Sequence, residues 1–120
     1  MWSAQEVNNS LWVLTFTPPL PPPSPQEIAQ QLRHQLRQLL KKKQKKIAID
    51  LKSLENFSSS ILSVLLAAID KIHHYGGQLV LLHLSPTAQE LLQTTNLQHH
   101  FQICNNLEEA LEKFAKPPST

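Results

Sequence analysis

Three consecutive serines, Ser58-Ser59-Ser60, stand where the chain passes from a short polar loop into a strongly apolar helical segment. A serine hydroxyl can accept a phosphoryl group, and the first turn of a helix offers free backbone N–H groups and a positive dipole end to a phosphate. The cluster is therefore a candidate modification switch. Spacing alone also allows a simpler interpretation, in which one serine caps the helix and the other two are solvated.

The other residues with reactive side chains do not form a catalytic or metal-binding pattern. Among the six histidines, His73-His74 and His99-His100 are adjacent pairs, and neighbours on a helix point in different directions. A zinc site needs several converging ligands, and Cys104 is the only cysteine. Asp50 precedes the serines without a histidine base in a known order, and no glycine-rich phosphate loop is present. We therefore interpret Asp50 as a strand-end residue that organises the following loop. We predict no metal, no cofactor and no enzymatic activity.

The length and composition of the chain fit one compact domain. Its 120 residues suffice for one apolar core and are too few for a second core of similar size. One cysteine cannot form an intramolecular disulfide, no signal-like segment opens the chain, and no apolar run is long enough to span a bilayer. These features predict a cytoplasmic protein without membrane insertion.

The net charge of +2 conceals a local basic patch. Five of the eleven basic residues lie within Lys41–Lys46, which leaves six basic residues against nine acidic ones in the rest of the chain. Such a run can attract nucleic acid or acidic lipid without specificity. No aromatic platform or nucleic-acid motif accompanies it, so we interpret it as the solvated end of a helix and expect no specific nucleic-acid partner.

Several short segments have the apolar, β-branched composition of strands. They cover residues 11–16, 47–51, 79–84 and 101–103, and the first is predicted to have a short partner near 5–8. The second and third are almost entirely apolar, as in strands buried on both faces of a sheet. Because a helix predicted over 59–75 joins them, they should form a parallel unit with a right-handed crossover.

Capping residues mark the ends of the predicted helices. Ser24-Pro25 begins a helix that runs to the lysine cluster, and Ser85-Pro86 begins a shorter one. The helix that follows the serines stops at Gly76-Gly77, and the last helix starts at Asn105 or Asn106 with a capping box. The predicted fold class is α/β, with a mostly parallel central sheet, one antiparallel early strand and about four helices.

We expect a single domain over residues 1–120, with a core from about 11 to 114. Six of the nine prolines lie in 18–25, a segment without helical or strand period that we interpret as a stiff loop. Residues 116–120 are predicted to be a frayed tail.

The order of these elements, together with three stretches of sequence, resembles a STAS domain, the fold of bacterial anti-sigma factor antagonists. Asp50 closes the central strand, as in the family. The stretch Phe57–Leu62 resembles the family's Asp-Ser-Ser/Ala-Gly-Leu motif, which leads from a loop into a helix. The stretch Gly76–Pro86 resembles the family's glycine turn, strand and Ser-Pro helix start.

The resemblance implies a non-enzymatic interaction domain in a partner-switching pathway. It aligns Ser59 with the phosphorylated serine of the family, with Ser58 and Ser60 as alternative phosphoacceptors. The implied partner is a serine-kinase anti-sigma factor or a related regulator, which binds the unmodified form, and a phosphatase resets the switch. The residues expected to bind this partner are Asp50, Ser58, Ser59, Ser60, Ile61, Val64 and Ala68.

Two alternatives stay open at the level of sequence. Ile61, Val64 and Ala68 lie off the main apolar stripe of their helix, and they belong either to a partner-binding patch or to a face buried under another element. Ser58 also stands where the family usually has aspartate, and Ile61 where it usually has glycine. These departures leave room for an alternative function, a constitutive accessory module of a transport complex that phosphorylation does not regulate.

Overall fold

The computed structural model describes residues 2–7, 11–21, 23–54, 58–97 and 101–115. Its strands and helices, in chain order, are β1 (Trp2–Val7), β2 (Leu11–Phe16), α1 (Pro25–Lys41), β3 (Lys46–Asp50), α2 (Ser59–His74), β4 (Gln78–Leu82), α3 (Pro86–Thr94), β5 (Gln102–Cys104) and α4 (Leu107–Ala115). The strands form one sheet in the order β1-β2-β3-β4-β5. Only β1 runs antiparallel to its neighbour, so the predicted α/β fold class is confirmed.

The first strand starts earlier than the sequence pattern suggested. β1 begins at Trp2, which pairs with Phe16, and the two aromatic rings pack with their centroids 5.1 Å apart. The Trp2 indole Nε1 also donates a hydrogen bond to the Ile28 carbonyl of α1 at 3.1 Å. This packing extends the strand to the start of the described chain, while Asn8, at the end of the predicted strand, lies outside the described residues.

The sheet separates two apolar layers of different size. Alternate residues of each strand point to opposite faces, so Ile47 and Ile49 of β3 contact one layer and Ala48 contacts the other. Successive right-handed crossovers place α1, α2 and α3 over the larger layer, and α4 covers the smaller one through Ala110. All three of these β3 side chains are fully buried, as expected of a central strand.

The predicted helix starts are confirmed by side-chain caps. The Ser24 hydroxyl accepts a hydrogen bond from the Glu27 amide at 3.2 Å, and the Ser85 hydroxyl caps α3 in the same way. At α4, the Asn106 side-chain oxygen accepts from the Glu109 amide at 2.8 Å, and the Glu109 carboxylate accepts from the Asn105 amide at 3.3 Å. Asn106, rather than Asn105, is therefore the cap of the last helix.

The only cysteine, Cys104, should be unreactive in the folded protein. Its side chain is 1 % exposed on β5, and burial raises the pKa of the thiol, an effect that Lys113 opposes and Glu109 reinforces. Alkylation by iodoacetamide at neutral pH should therefore be on the order of a hundredfold slower than in guanidinium-denatured protein. Mass spectrometry measures both alkylation rates. Equal rates in the folded and denatured states would show that β5 unfolds locally and exposes the thiol.

Candidate functional site

The loops that lead from strands into helices meet at one edge of the sheet. Because β2, β3, β4 and β5 are parallel, their carboxyl ends lie together, and α1 to α4 all begin near this edge. We call it the carboxyl edge and define its described loops as residues 17–21, 23–24, 51–54, 58, 83–85 and 105–106. The serine cluster lies here, at the start of α2.

Ser58 is the N-cap of α2. Its backbone is extended, and its hydroxyl oxygen accepts a hydrogen bond from the Ile61 amide at 3.4 Å. Its carbonyl accepts from the Leu62 amide at 3.0 Å, which begins the helical ladder. A serine at this position therefore supplies the capping oxygen that an aspartate would supply, and the interpretation that one serine caps the helix is confirmed for Ser58.

Ser59 is the first residue of α2, and its side chain is exposed. Its carbonyl accepts a hydrogen bond from the Ser63 hydroxyl at 3.0 Å, whereas its own hydroxyl has no partner among the described residues. The first turn of α2 contains no acidic residue. A negative charge on Ser59 would therefore meet free backbone N–H groups and a helix dipole of favourable sign. Ser60, the next residue, is half-buried.

Asp50, the last residue of β3, organises the loop that precedes the serines. Its Oδ1 accepts a hydrogen bond from the Lys52 amide at 2.9 Å, an arrangement that turns the chain sharply after the strand. Leu51 and Leu54 then insert into the core and are 2 % and 3 % exposed. The interpretation of Asp50 as a strand-end residue that orders the following loop is confirmed.

The three apolar residues expected beside the serines are buried. Ile61, Val64 and Ala68 are 0 %, 7 % and 4 % exposed, because α1 packs against this side of α2 and the sheet lies beneath it. Of the two alternatives that the sequence left open, burial under another element is therefore the one that describes these three residues. Their side chains lie beneath the surface of the domain. The exposed neighbours on this side of α2 include Ser63 and Ala67.

Sequence reasoning missed Leu20. This side chain is 94 % exposed in the proline-rich loop of the carboxyl edge, and it is the one large hydrophobic side chain fully presented to solvent among the described residues. One exposed leucine is ordinary by itself. Its loop leads directly into α1, whose first turn borders the first turn of α2 through Gln26 and Ser60. The sequence does place a leucine among prolines here, but composition alone does not show whether such a side chain is exposed or buried.

His83 is a second feature that the sequence did not reveal. It follows β4 at the carboxyl edge and has a φ of 55°, in the left-handed region that glycine usually occupies. A histidine in this conformation costs roughly 1 kcal/mol and persists only where the surrounding structure holds it. Here the buried β4 precedes it and the Ser85 cap of α3 follows it, so the turn is held from both sides.

The described residues contain neither a metal-binding cluster nor a membrane-spanning helix. Within these residues, no three or more histidine, cysteine, aspartate or glutamate side chains lie close enough together to hold a metal ion. Across the same part of the chain, none of the helices has both the length and the apolar character needed to cross a membrane.

The fold and the site together define one class of α/β domain. Its features are a five-stranded mixed sheet, three helices on one face, one helix on the other face, and a capped serine turn at the carboxyl edge. The chain belongs to the STAS domain family, whose model matches residues 26–110. The resemblance drawn from the sequence is therefore confirmed. A search of the curated proteins found no match.

Solved structures with the same fold include several antagonist proteins. An anti-sigma-factor antagonist (STAS) domain protein from Planctomyces limnophilus is 22 % identical with a TM-score of 0.78, over 96 % of this chain and 98 % of that one. RsbS of Moorella thermoacetica is 19 % identical with a TM-score of 0.77, over 95 % and 94 %. The Bacillus cell fate determinant SpoIIAA in its phosphorylated form is 18 % identical with a TM-score of 0.72, over 95 % and 99 %. At these identities the similarity is one of fold.

Proposed function

We propose that this protein is a non-enzymatic, cytoplasmic interaction domain that acts as an anti-sigma factor antagonist or a related partner-switching regulator, and that phosphorylation of Ser59 controls it. The observation that carries the proposal is the position of Ser59. Its side chain is exposed at the start of α2, its hydroxyl makes no bond to the described residues, and the turn holds no acidic residue.

In the unmodified state, the carboxyl edge binds a serine-kinase regulator, and the kinase supplies the ATP. Transfer of a phosphoryl group to Ser59 adds nearly two negative charges. The N-terminus of α2 tolerates this charge, so the domain keeps its fold, while the docked partner meets added bulk and repulsion. Release of the partner therefore requires no refolding, and a phosphatase restores binding.

Two solved structures of one neighbour, SpoIIAA, support this cycle. One structure shows the anti-sigma factor antagonist SpoIIAA in its unphosphorylated form, and the other shows SpoIIAA phosphorylated. The unphosphorylated form covers 98 % of this chain with a TM-score of 0.74.

A second candidate function is a constitutive accessory module of a transport complex. Ser58 supplies the cap where the family usually has aspartate, and the bulky Ile61 is fully buried where the family usually has glycine. A turn built in this way docks a partner without requiring recognition by a kinase.

Affinity isolation from the native cell extract distinguishes the two functions. Wild-type and Ser59→Asp proteins serve as baits, and mass spectrometry identifies the bound proteins and any phosphorylated serine. A kinase-like regulator retained by the wild type and lost by Ser59→Asp supports the switch. Transport subunits retained by both baits support the constitutive module and contradict the switch.

Leu20 should act as an apolar anchor for the same partner. Replacing Leu20 with alanine should weaken binding of the purified partner by about tenfold, because an exposed side chain that becomes buried on binding contributes strongly to affinity. The thermal unfolding midpoint should not change, since the wild-type side chain packs against little of its own domain. Leu20→Met is the matched control and should bind nearly as wild type. Wild-type affinity of Leu20→Ala, measured by calorimetry, would exclude Leu20 from the interface.

A further inference from the structure

An open groove runs between α1 and α2, and its middle section has an apolar floor. Leu36 of α1 and Val64 and Ala68 of α2 form this floor and are 1 %, 7 % and 4 % exposed. The cavity above them has a volume of about 220 Å³. We call this feature the α1–α2 groove. It differs from the carboxyl edge in that it extends along the helices rather than across their first turns.

Three cations line the middle of the α1–α2 groove. Arg33 and Arg37 belong to α1 and Lys71 to α2, and all three side chains are exposed. None of the residues that line this section is acidic. Within the described residues, no ion pair engages these three charges. Arg33 and Arg37 are also four residues apart on one helix, where like charges repel. An anionic occupant would relieve that repulsion.

The positive charge of the groove is highest in its middle section. Near the first turns of both helices its lining includes Gln26, Ser63 and a single cation, Arg33. Near their last turns it includes Lys43, His73 and a single carboxylate, Asp70. The span from residue 26 to residue 43 corresponds to about 25 Å of helix. The groove is therefore long enough for a helix of four to five turns, by the same geometry.

We propose that the α1–α2 groove docks an acidic amphipathic helix of another protein. An apolar ridge of that helix contacts the floor, and its carboxylates lie against the cationic rim, as in other recognition modes that place a helix in a groove. This docking goes beyond the proposed function and does not depend on modification of Ser59.

A second copy of this chain does not fit the groove as well. The most acidic helix is α4, which carries Glu108, Glu109 and Glu112, but its apolar face packs on the sheet through Ala110. Among the described residues, Leu20 is the one fully exposed large hydrophobic side chain, and it lies in a loop. The described chain therefore has no helix with both an acidic rim and a free apolar face.

A lipid surface does not fit the groove either. Membrane-bound amphipathic surfaces insert apolar side chains beyond their cations into the bilayer. Here the order is reversed, because the floor formed by Leu36, Val64 and Ala68 is buried and the cations are exposed above it. A flat bilayer would contact the rim and leave the apolar floor uncovered, whereas a helix ridge can reach it.

An NMR titration of the ¹⁵N-labelled full chain tests the docking. The probe is a synthetic helical peptide of about 17 residues with leucine on one stripe and glutamate elsewhere. Its controls are a scrambled peptide of the same composition and a peptide with lysine in place of glutamate. We expect amide shifts that concentrate at residues 33–40 and 64–71 with the first peptide only. Shifts at other residues, or equal binding of the scrambled peptide, would overturn the proposal.

Two triple variants with equal loss of charge complete the test. Arg33→Gln/Arg37→Gln/Lys71→Gln should weaken peptide binding by at least about tenfold, because three exposed ion pairs are lost together. Lys41→Gln/Lys42→Gln/Lys45→Gln removes three charges outside the groove and should weaken binding by less than about threefold. Equal weakening by both triples would overturn the proposal. So would binding of phosphatidylcholine–phosphatidylserine vesicles without peptide binding, or self-association that blocks the peptide.

Discussion

Replacing Ser59 with aspartate should weaken binding of the kinase-type regulator by about tenfold or more and leave the unfolding midpoint of the domain unchanged. The reason lies in the two environments of this side chain. In the free domain it is solvated at the positive end of α2, where a carboxylate is tolerated or slightly favourable. In the complex the same carboxylate is desolvated against a partner that was selected to fit a neutral hydroxyl. True phosphoserine, with nearly twice the charge, should weaken binding further.

Two control variants separate charge from other effects. Ser59→Ala removes the hydroxyl without adding charge, and we expect it to keep the affinity of the wild type. Gln93→Glu adds one carboxylate at an exposed position of α3 and should also bind normally. Calorimetry gives the affinities and thermal scans give the midpoints. Equal affinities of Ser59→Asp and the wild type would contradict the switch. A lowered unfolding midpoint of Ser59→Asp would mean that binding is lost because the fold is damaged.

Replacing Gly77 with alanine should lower the free energy of unfolding by about 1–3 kcal/mol, the cost expected of overpacking. A Cβ at this position would lie 2.6 Å from Cγ1 of Ile72, 2.9 Å from the Lys45 carbonyl oxygen and 3.0 Å from the Lys45 Cα. Two of these three atoms belong to the backbone and cannot move aside as a flexible side chain can. The change should therefore separate the end of α2 from the segment that leads into β3. Urea denaturation followed by circular dichroism measures this loss.

Gly76→Ala is the matched comparison for that experiment. Gly76 has a φ of +85°, so alanine is strained there, but a Cβ would have no atom within 4 Å. Only the conformational cost of roughly 1 kcal/mol remains. We expect Gly76→Ala to be the milder of the two variants. The opposite order would mean that the close approach of the Lys45 backbone is not what requires glycine at position 77.

Local sequence signals predicted the elements well. Ser24, Ser85 and Asn106 each accept a hydrogen bond from the amide three residues ahead, because capping depends on residues that are close along the chain. The apolar run at 47–51 likewise predicted a strand buried on both faces. The positive φ values of Lys43 and His83 were not predictable, since neither residue type demands that conformation.

The sequence also predicted those parts of the candidate site that depend on contacts close along the chain. Ser58 as a cap and Asp50 as the residue that orders the loop follow from contacts with amides two or three residues ahead. The burial of Val64 and Ala68 depends on α1, which lies about thirty residues earlier in the chain and packs on that side of α2. The exposure of Leu20 likewise depends on which distant elements approach its loop.

The amino-acid sequence by itself determined the α/β class, the order of the elements and a capped serine turn at the start of a helix. Periodicity and capping are local, so a single chain read in order is sufficient for them. Only the tertiary structure decided which side chains of α2 are buried, why Gly77 must lack a Cβ, and that Arg33, Arg37 and Lys71 line one groove. These properties arise from packing between segments that are distant in sequence, and neither composition nor spacing encodes which surfaces meet.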